Sequence, residues 1–422
     1  MHNFNCYLNN QINVQFVIKN EIKLLDREVF ARKVDITNGR AKSSDGSANT
    51  MQVGLLDCFA QRIAKDLFFR PQAVNNLQEH LAAAINWLKL AHTVSPDNGV
   101  SWGYSLKGGW RSSYRETSGY IAVTFFDLAQ QLKDDDAWQR AVTISKWLCQ
   151  VQNADGSISD PRYGSTGIVF DTGQVLLGLV RAFEETQDLD CLQAAEKARD
   201  WLIDVADDRG RWTRNTHFGI PHVYNTRVAW SLLRLNALRP SSVAEKVALA
   251  NLDWALSQQR NSWFEQCAFK PGVPPFTHTI AYAIRGLLES GILLKEQKYI
   301  DAAVRGAEAM IEHVRTDGFI PGQIDTEGRA RASYCCLTGN CQMAIVWLKL
   351  FEIGGDWRFY RAASDSLRYV MSCQDICTSD RNIRGAIKGS QPIWGKYTRL
   401  SYPNWATKFF IDSLLILSRL QT

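Results

Sequence analysis

Four short stretches place a side chain able to move or share a proton directly before a threonine. They are Glu116-Thr117, Asp171-Thr172, Asn225-Thr226 and His278-Thr279. Two carboxyls brought together are the equipment of glycoside hydrolysis: one protonates the leaving oxygen while the other attacks or activates water. Removing a proton beside a carboxylate needs a base instead. His278, Tyr114 and Lys408 are of the right type, with an arginine to neutralise the carboxylate. Arg111 and Arg227 offer forks that match carboxylate, phosphate or sulfate. Trp110 and Trp394 present flat faces suited to the C–H faces of sugar rings, and Asn225 and Asn404 add amides for hydroxyl edges. Each residue also has a purely structural explanation. A carboxylate is favoured at any helix start, His278 can be held in the turn that follows PPFT, and Arg227 can pair with Asp171 of the preceding repeat.

These residues are placed by an internal repeat. Thr117, Thr172, Thr226, Thr279 and Thr338 each precede an apolar run of helical period, at spacings of 55, 54, 53 and 59 by subtraction. Threonine is a good helix N-cap, so these are expected caps. A sixth start, near Trp405, departs from the pattern. Six amphipathic segments alternate with the apolar ones and carry a bulky residue near their ends: Trp87, Trp147, Trp201, Trp254, Met310 and Tyr369. Helices apolar all round belong inside, and helices with a charged face belong outside. The expected fold is therefore all-α, an (α/α)6 toroid of six inner and six outer helices over residues 56–422. Residues 1–55 stand outside the repeat as a small N-terminal extension, with a possible strand at VQFVI and a short helix.

In such a ring the inner helices run in one direction. Their N-termini and the long outer-to-inner connections gather at one end, while the return connections, such as KDDDA, are short. Long loops on a rigid scaffold are where a site is expected.

Composition narrows the partners. The net charge is +5, with no block of basic residues, which argues against nucleic acid. No apolar run is long enough to span a bilayer. The start MHNFNCYLNNQINVQF lacks a basic segment followed by an apolar one, so the expected location is the cytoplasm, with the ten cysteines as reduced thiols. No phosphate-binding glycine loop is visible, and SYCCLTGNC lacks C-x-x-C spacing and a neighbouring histidine. No cofactor and no metal are expected.

The repeat, with outer-helix endings such as SKWLCQVQNADGSI, resembles the six-hairpin glycosidase and terpenoid-cyclase-like toroid superfamilies over about residues 70–420. The acidic D-x-D-D motif of the cyclases is missing. WGYSLKGGWRSSYRETSGY, VFDTGQVLLGL, CLTGNCQMAIVWLKL, GAIKGSQPIWGKY and YPNWATKFFIDSLL resemble an uncharacterised bacterial family associated with surface-polysaccharide biosynthesis. That resemblance implies a carbohydrate substrate. The expectation is a carbohydrate-active enzyme on an anionic, uronate-like glycan or sugar intermediate, working by hydrolysis or by lyase or epimerase proton abstraction. The alternatives are a non-catalytic glycan-binding scaffold, and a terpenoid or polyprenyl enzyme with a deep apolar cavity.

Overall fold

The computed structural model describes residues 62–72, 74 and 76–421. The chain divides into two compact units, Met1–Arg70 and Pro71–Thr422. Of the first, the described part is a helical segment at 62–67. The expected extension over 1–55, its VQFVI strand and its helix lie outside the described residues.

The second unit is an (α/α)6 toroid. Its outer helices are α1 (Leu77–Thr93), α3 (Asp135–Val151), α5 (Leu189–Asp204), α7 (Ser242–Ser257), α9 (Gln297–Ile311) and α11 (Trp357–Cys373). Its inner helices are α2 (Arg115–Leu132), α4 (Val169–Thr186), α6 (Thr226–Leu238), α8 (Thr277–Leu294), α10 (Leu337–Gly354) and α12 (Asn404–Gln421). Each inner helix packs on the next, and α12 returns to pack on α1 and α2, closing the ring. Among the described residues no helix is long and apolar enough to cross a membrane.

Inner helices approach closely where side chains are small. A Cβ on Gly119 of α2 would stand 2.6 Å from the Val175 Cα of α4, and one on Gly178 would stand 2.3 Å from the Gly119 carbonyl oxygen. At the loop end, strands β1 (Gly103–Ser105), β2 (Gly109–Trp110) and β3 (Ser401–Pro403) form an antiparallel sheet of order β2-β1-β3. Tyr104 stands opposite Trp110 on one side and Tyr402 on the other. This sheet joins the first long connection to the last. Asn404 reinforces the join: its Nδ2 donates to the Ser101 carbonyl at 2.7 Å and to Thr117 Oγ1 at 2.8 Å.

The expected caps are corrected. Side-chain caps occur on outer helices, where Asn76, Asp134, Asp188, Ser241 and Asp356 accept backbone N–H bonds. Thr117, Thr172, Thr226, Thr279 and Thr338 lie within the first turns of the inner helices and are not N-caps. Outer helices start at solvent-facing returns and must satisfy their own N–H groups. Inner helices start beneath the loops. There the Thr172 hydroxyl donates back to the Ile168 carbonyl at 2.8 Å and accepts the Ile158 N–H at 2.9 Å. The residue that copies this in the first repeat is Ser118, not Thr117. Its hydroxyl donates to the Tyr114 carbonyl at 2.7 Å and accepts the Val100 N–H at 3.0 Å.

Candidate active site

That register defines the site. The residue two past the residue preceding each inner helical start is Glu116, Phe170, Tyr224, His278, Thr338 and Trp405 in turn. The third repeat reaches this position through a short 3-10 turn, Val223–Asn225, ahead of α6. The first four are spaced by 54 residues each, by subtraction. Five of the six (all but Thr338) line one cavity of about 480 Å³ at the loop end of the ring. One turn further on, Tyr120 and Tyr282 line its floor, since positions i and i+4 share a helix face. The long connections supply the rim: Trp102, Arg111, Arg162, Tyr163, His217, Phe218, Lys396 and Thr398.

Glu116 is buried in the wall. Tyr114 donates its phenol to Oε2, and Tyr120 donates to Oε1 at 3.3 Å. Burial outweighs those bonds and pushes the carboxyl up to about 7. Asp171 stands behind the lining, 1% exposed, and neither of its side-chain oxygens has a hydrogen-bond partner among the described residues. Burial, and then the charge of Glu116, drive its proton affinity well above the ordinary carboxylate range. The two carboxyls are electrostatically coupled but do not occupy equivalent positions: Phe170 is the counterpart of Glu116, and Thr117 that of Asp171. Tyr114 lines the cavity, and burial pushes its phenol well up, aided by Asp171 and Glu116.

His278 faces the cavity among Phe269, Tyr282 and Tyr397, with ring centroids 6.3, 4.4 and 5.1 Å away. Its Nδ1 is 3.0 Å from Gln342 Oε1, and burial lowers its pKa to about 3, so the imidazole is neutral. At the rim the Arg111 guanidinium lies 4.4 Å from the Trp102 ring centroid and has no carboxylate partner among the described residues. Arg162 is held by Asp160, Nε to Oδ1 at 2.9 Å, and lies 4.5 Å from the Tyr114 ring centroid.

The remaining candidates lie away from the lining. Arg227 is buried beneath the floor. Its Nε donates to Gln174 Oε1 at 2.9 Å, its guanidinium stands 4.9 Å from the Tyr282 ring centroid, and Nη1 has no hydrogen-bond partner among the described residues. Burial, with repulsion from Arg285, lowers its pKa to about 10. The Arg227–Asp171 pairing that the sequence allowed does not form. Lys408 is buried against Asp412, which also accepts from Thr124 Oγ1 at 2.7 Å. Trp110 stacks on Trp87 at 5.4 Å and donates to Asn382 Oδ1 at 2.9 Å. Asn225 is buried at the start of α6, Asn404 closes the ring, and Trp394 is half-buried beside the loop that carries Lys396.

Sequence reasoning passed over Tyr120, Phe170, Tyr224 and Tyr282, whose signal is the 54-residue spacing and its i+4 echo, and Trp405, which lies off that spacing. Arg162 and Tyr163 in DPRYGS, and Phe218 in THFGI, carried no signal beyond their place in long loops.

No protein-family profile and no curated protein matches the chain. Solved structures do. An unsaturated glucuronyl hydrolase specific for heparin is 15% identical, with a TM-score of 0.66 over 82% of this chain and 97% of that one. The unsaturated glucuronyl hydrolase responsible for glycosaminoglycan degradation from Bacillus sp. GL1 is 16% identical, with a TM-score of 0.64 over 82% and 97%. Cellobiose 2-epimerase from Bacillus thermoamylovorans B4167 is 11% identical, with a TM-score of 0.64 over 86% and 100%. At these identities the likeness is one of fold: the chain is an α/α toroid.

Proposed function

We propose that the protein is a carbohydrate-active hydrolase for an anionic, uronate-like sugar, with Glu116 as its proton-transfer group. The observation that carries this is Glu116 itself, a buried carboxyl with a pKa of about 7 in the wall of a cavity whose rim holds Arg111 over the Trp102 ring. A group titrating near neutrality is half protonated at working pH, which suits a general acid that must later accept a proton. Protonated Glu116 gives its proton to the glycosidic oxygen as the bond from that oxygen to the anomeric carbon breaks. Water adds to the sugar carbon and returns a proton to Glu116. Asp171, kept neutral behind the wall, lets Glu116 carry the one negative charge of the pair. Tyr114 and Tyr120 hold the carboxylate in place, and Arg111 takes the sugar's own carboxylate.

The hydrolases among the structural neighbours are named for glucuronyl substrates, which fits an anionic sugar. Proton abstraction by His278 fits less well, because an imidazole with a pKa of about 3 is a feeble base. A terpenoid substrate fits poorly with a cavity holding Glu116, Arg111, Arg162 and Lys396. The proposed role in polysaccharide metabolism rests on the sequence resemblance, and the proposed cytoplasmic location on ten cysteines with no disulfide-framework spacing. The test is incubation with anionic oligosaccharides. New reducing ends are expected. Solvent deuterium entering a sugar carbon without cleavage makes the protein an epimerase instead, and binding with no turnover makes it a scaffold.

A further inference from the structure

The cavity lining falls into two tiers. The inner tier is buried: Phe170, Tyr224, Tyr282, Tyr397 and Trp405 are each at most 8% exposed. The outer tier is the reverse. Tyr163 is 80% exposed and Phe218 is 68% exposed, yet both line the same cavity. They come from successive long connections, before α4 and before α6.

Neither side chain sits on a loose loop tip. The Tyr163 N–H donates to the Asp160 carbonyl at 2.9 Å, and Asp160 is clamped by Arg162. Phe218 occupies the left-handed region (φ 58°, ψ 13°), an uncommon conformation for a bulky residue. Its turn is closed by Thr216 Oγ1 donating to the Ile220 carbonyl at 2.8 Å, and by the Gly219 N–H donating to the Thr216 carbonyl at 3.1 Å. The His217 carbonyl stands 2.8 Å from Nε2 of the buried His222. A fixed turn that holds a phenyl ring in water in an unfavourable backbone conformation points to a use for that ring.

A single sugar ring seated against Glu116 covers the inner tier and leaves Tyr163 and Phe218 wet. A second ring joined to the first, in the outer part of the same cavity, covers them. We propose that Tyr163 and Phe218 form an outer subsite that grips the second sugar of an oligosaccharide, so that the group released on cleavage is itself a sugar and not a small non-sugar aglycone. The inference rests on the proposed sugar hydrolase reading and names the size of its substrate. Aromatic faces grip a sugar by its C–H face with little demand on the pattern of hydroxyls. The outer subsite therefore sets chain length, while Arg111 answers to charge.

The test is calorimetric titration of the full chain with three probes: glucuronate, glucuronosyl-glucose with a sulfur in place of the glycosidic oxygen, and cellobiose. The wild type is expected to bind the thio-disaccharide roughly tenfold tighter than glucuronate, the scale of one well-buried aromatic contact. Tyr163→Ala and Phe218→Ala should each lose most of that factor and leave glucuronate binding unchanged. Equal wild-type affinity for the two anionic probes, or variants that weaken both alike, overturns the outer subsite. Failure of the anionic reading looks different. Cellobiose then binds as well as the thio-disaccharide, and Arg111→Ala changes neither, while the loss in Tyr163→Ala persists.

Discussion

Glu116→Gln should abolish turnover and stabilise the fold, and the size of the second effect follows from burial. Glu116 is an acid whose folded pKa, about 7, lies above its ordinary value of 4.5. Its contribution to stability is whole below about pH 4.5 and is lost as pH rises through about 7. At about 1.4 kcal/mol per pH unit, that loss reaches about 3 kcal/mol at pH 8. Glutamine carries no charge to desolvate and can still accept the Tyr114 phenol. The variant should therefore gain up to about 3 kcal/mol over the wild type at pH 8, roughly 4 °C in Tm for a unit of this size. At pH 4.5 the gap should close. Activity should fall at least a hundredfold, the low end for a lost general acid, and wild-type turnover should decline above pH 7 as the acid form disappears. Paired thermal scans from pH 4.5 to 8, with reducing-end assays on the same samples, read both effects. A Tm difference that does not grow with pH would falsify the burial argument. Retained turnover removes Glu116 from the chemistry.

Three further outcomes can be checked. Arg111→Ala should raise KM for an anionic sugar about tenfold with kcat nearly unchanged, because its guanidinium has no carboxylate partner among the described residues to release; an unchanged KM places the substrate charge elsewhere. Lys408→Met leaves the largely buried Asp412 with Thr124 alone among the described residues and should cost about 3 kcal/mol in urea denaturation, with KM unchanged in the folded enzyme. A raised KM without loss of stability makes Lys408 a ligand-binding residue after all. The thiols of Cys149 and Cys191 are 3.9 Å apart on adjacent outer helices, so a mild thiol oxidant should join them before any other pair, with loss of two hydrogens by mass spectrometry. A different first cross-link, or none, contradicts that placement.

The ring was legible in the sequence because burial writes itself as periodicity. An inner helix has no solvent face and an outer helix has one, so six apolar runs alternating with six amphipathic ones leave few other architectures. The gathering of long connections at one end followed from the alternation. Glu116, Tyr114, His278 and Arg111 were recognisable because a charged or titratable group beside a buried helix start is conspicuous in any sequence.

What the chain alone could not decide was a matter of one residue. Aligning on threonines put Glu116 and Asp171 in equivalent places, whereas alignment on the inner helix starts pairs Glu116 with Phe170 and Thr117 with Asp171. Each helix turns 100° per residue, so a slip of one moves a side chain from the cavity wall to the layer behind it. The slip was invisible because the helix start is set by bonds from distant backbone, such as the Val100 N–H to Ser118 and the Ile158 N–H to Thr172. Serine and threonine serve that bond equally well, so the sequence marked the turn, and only the packed loops determined which hydroxyl received it.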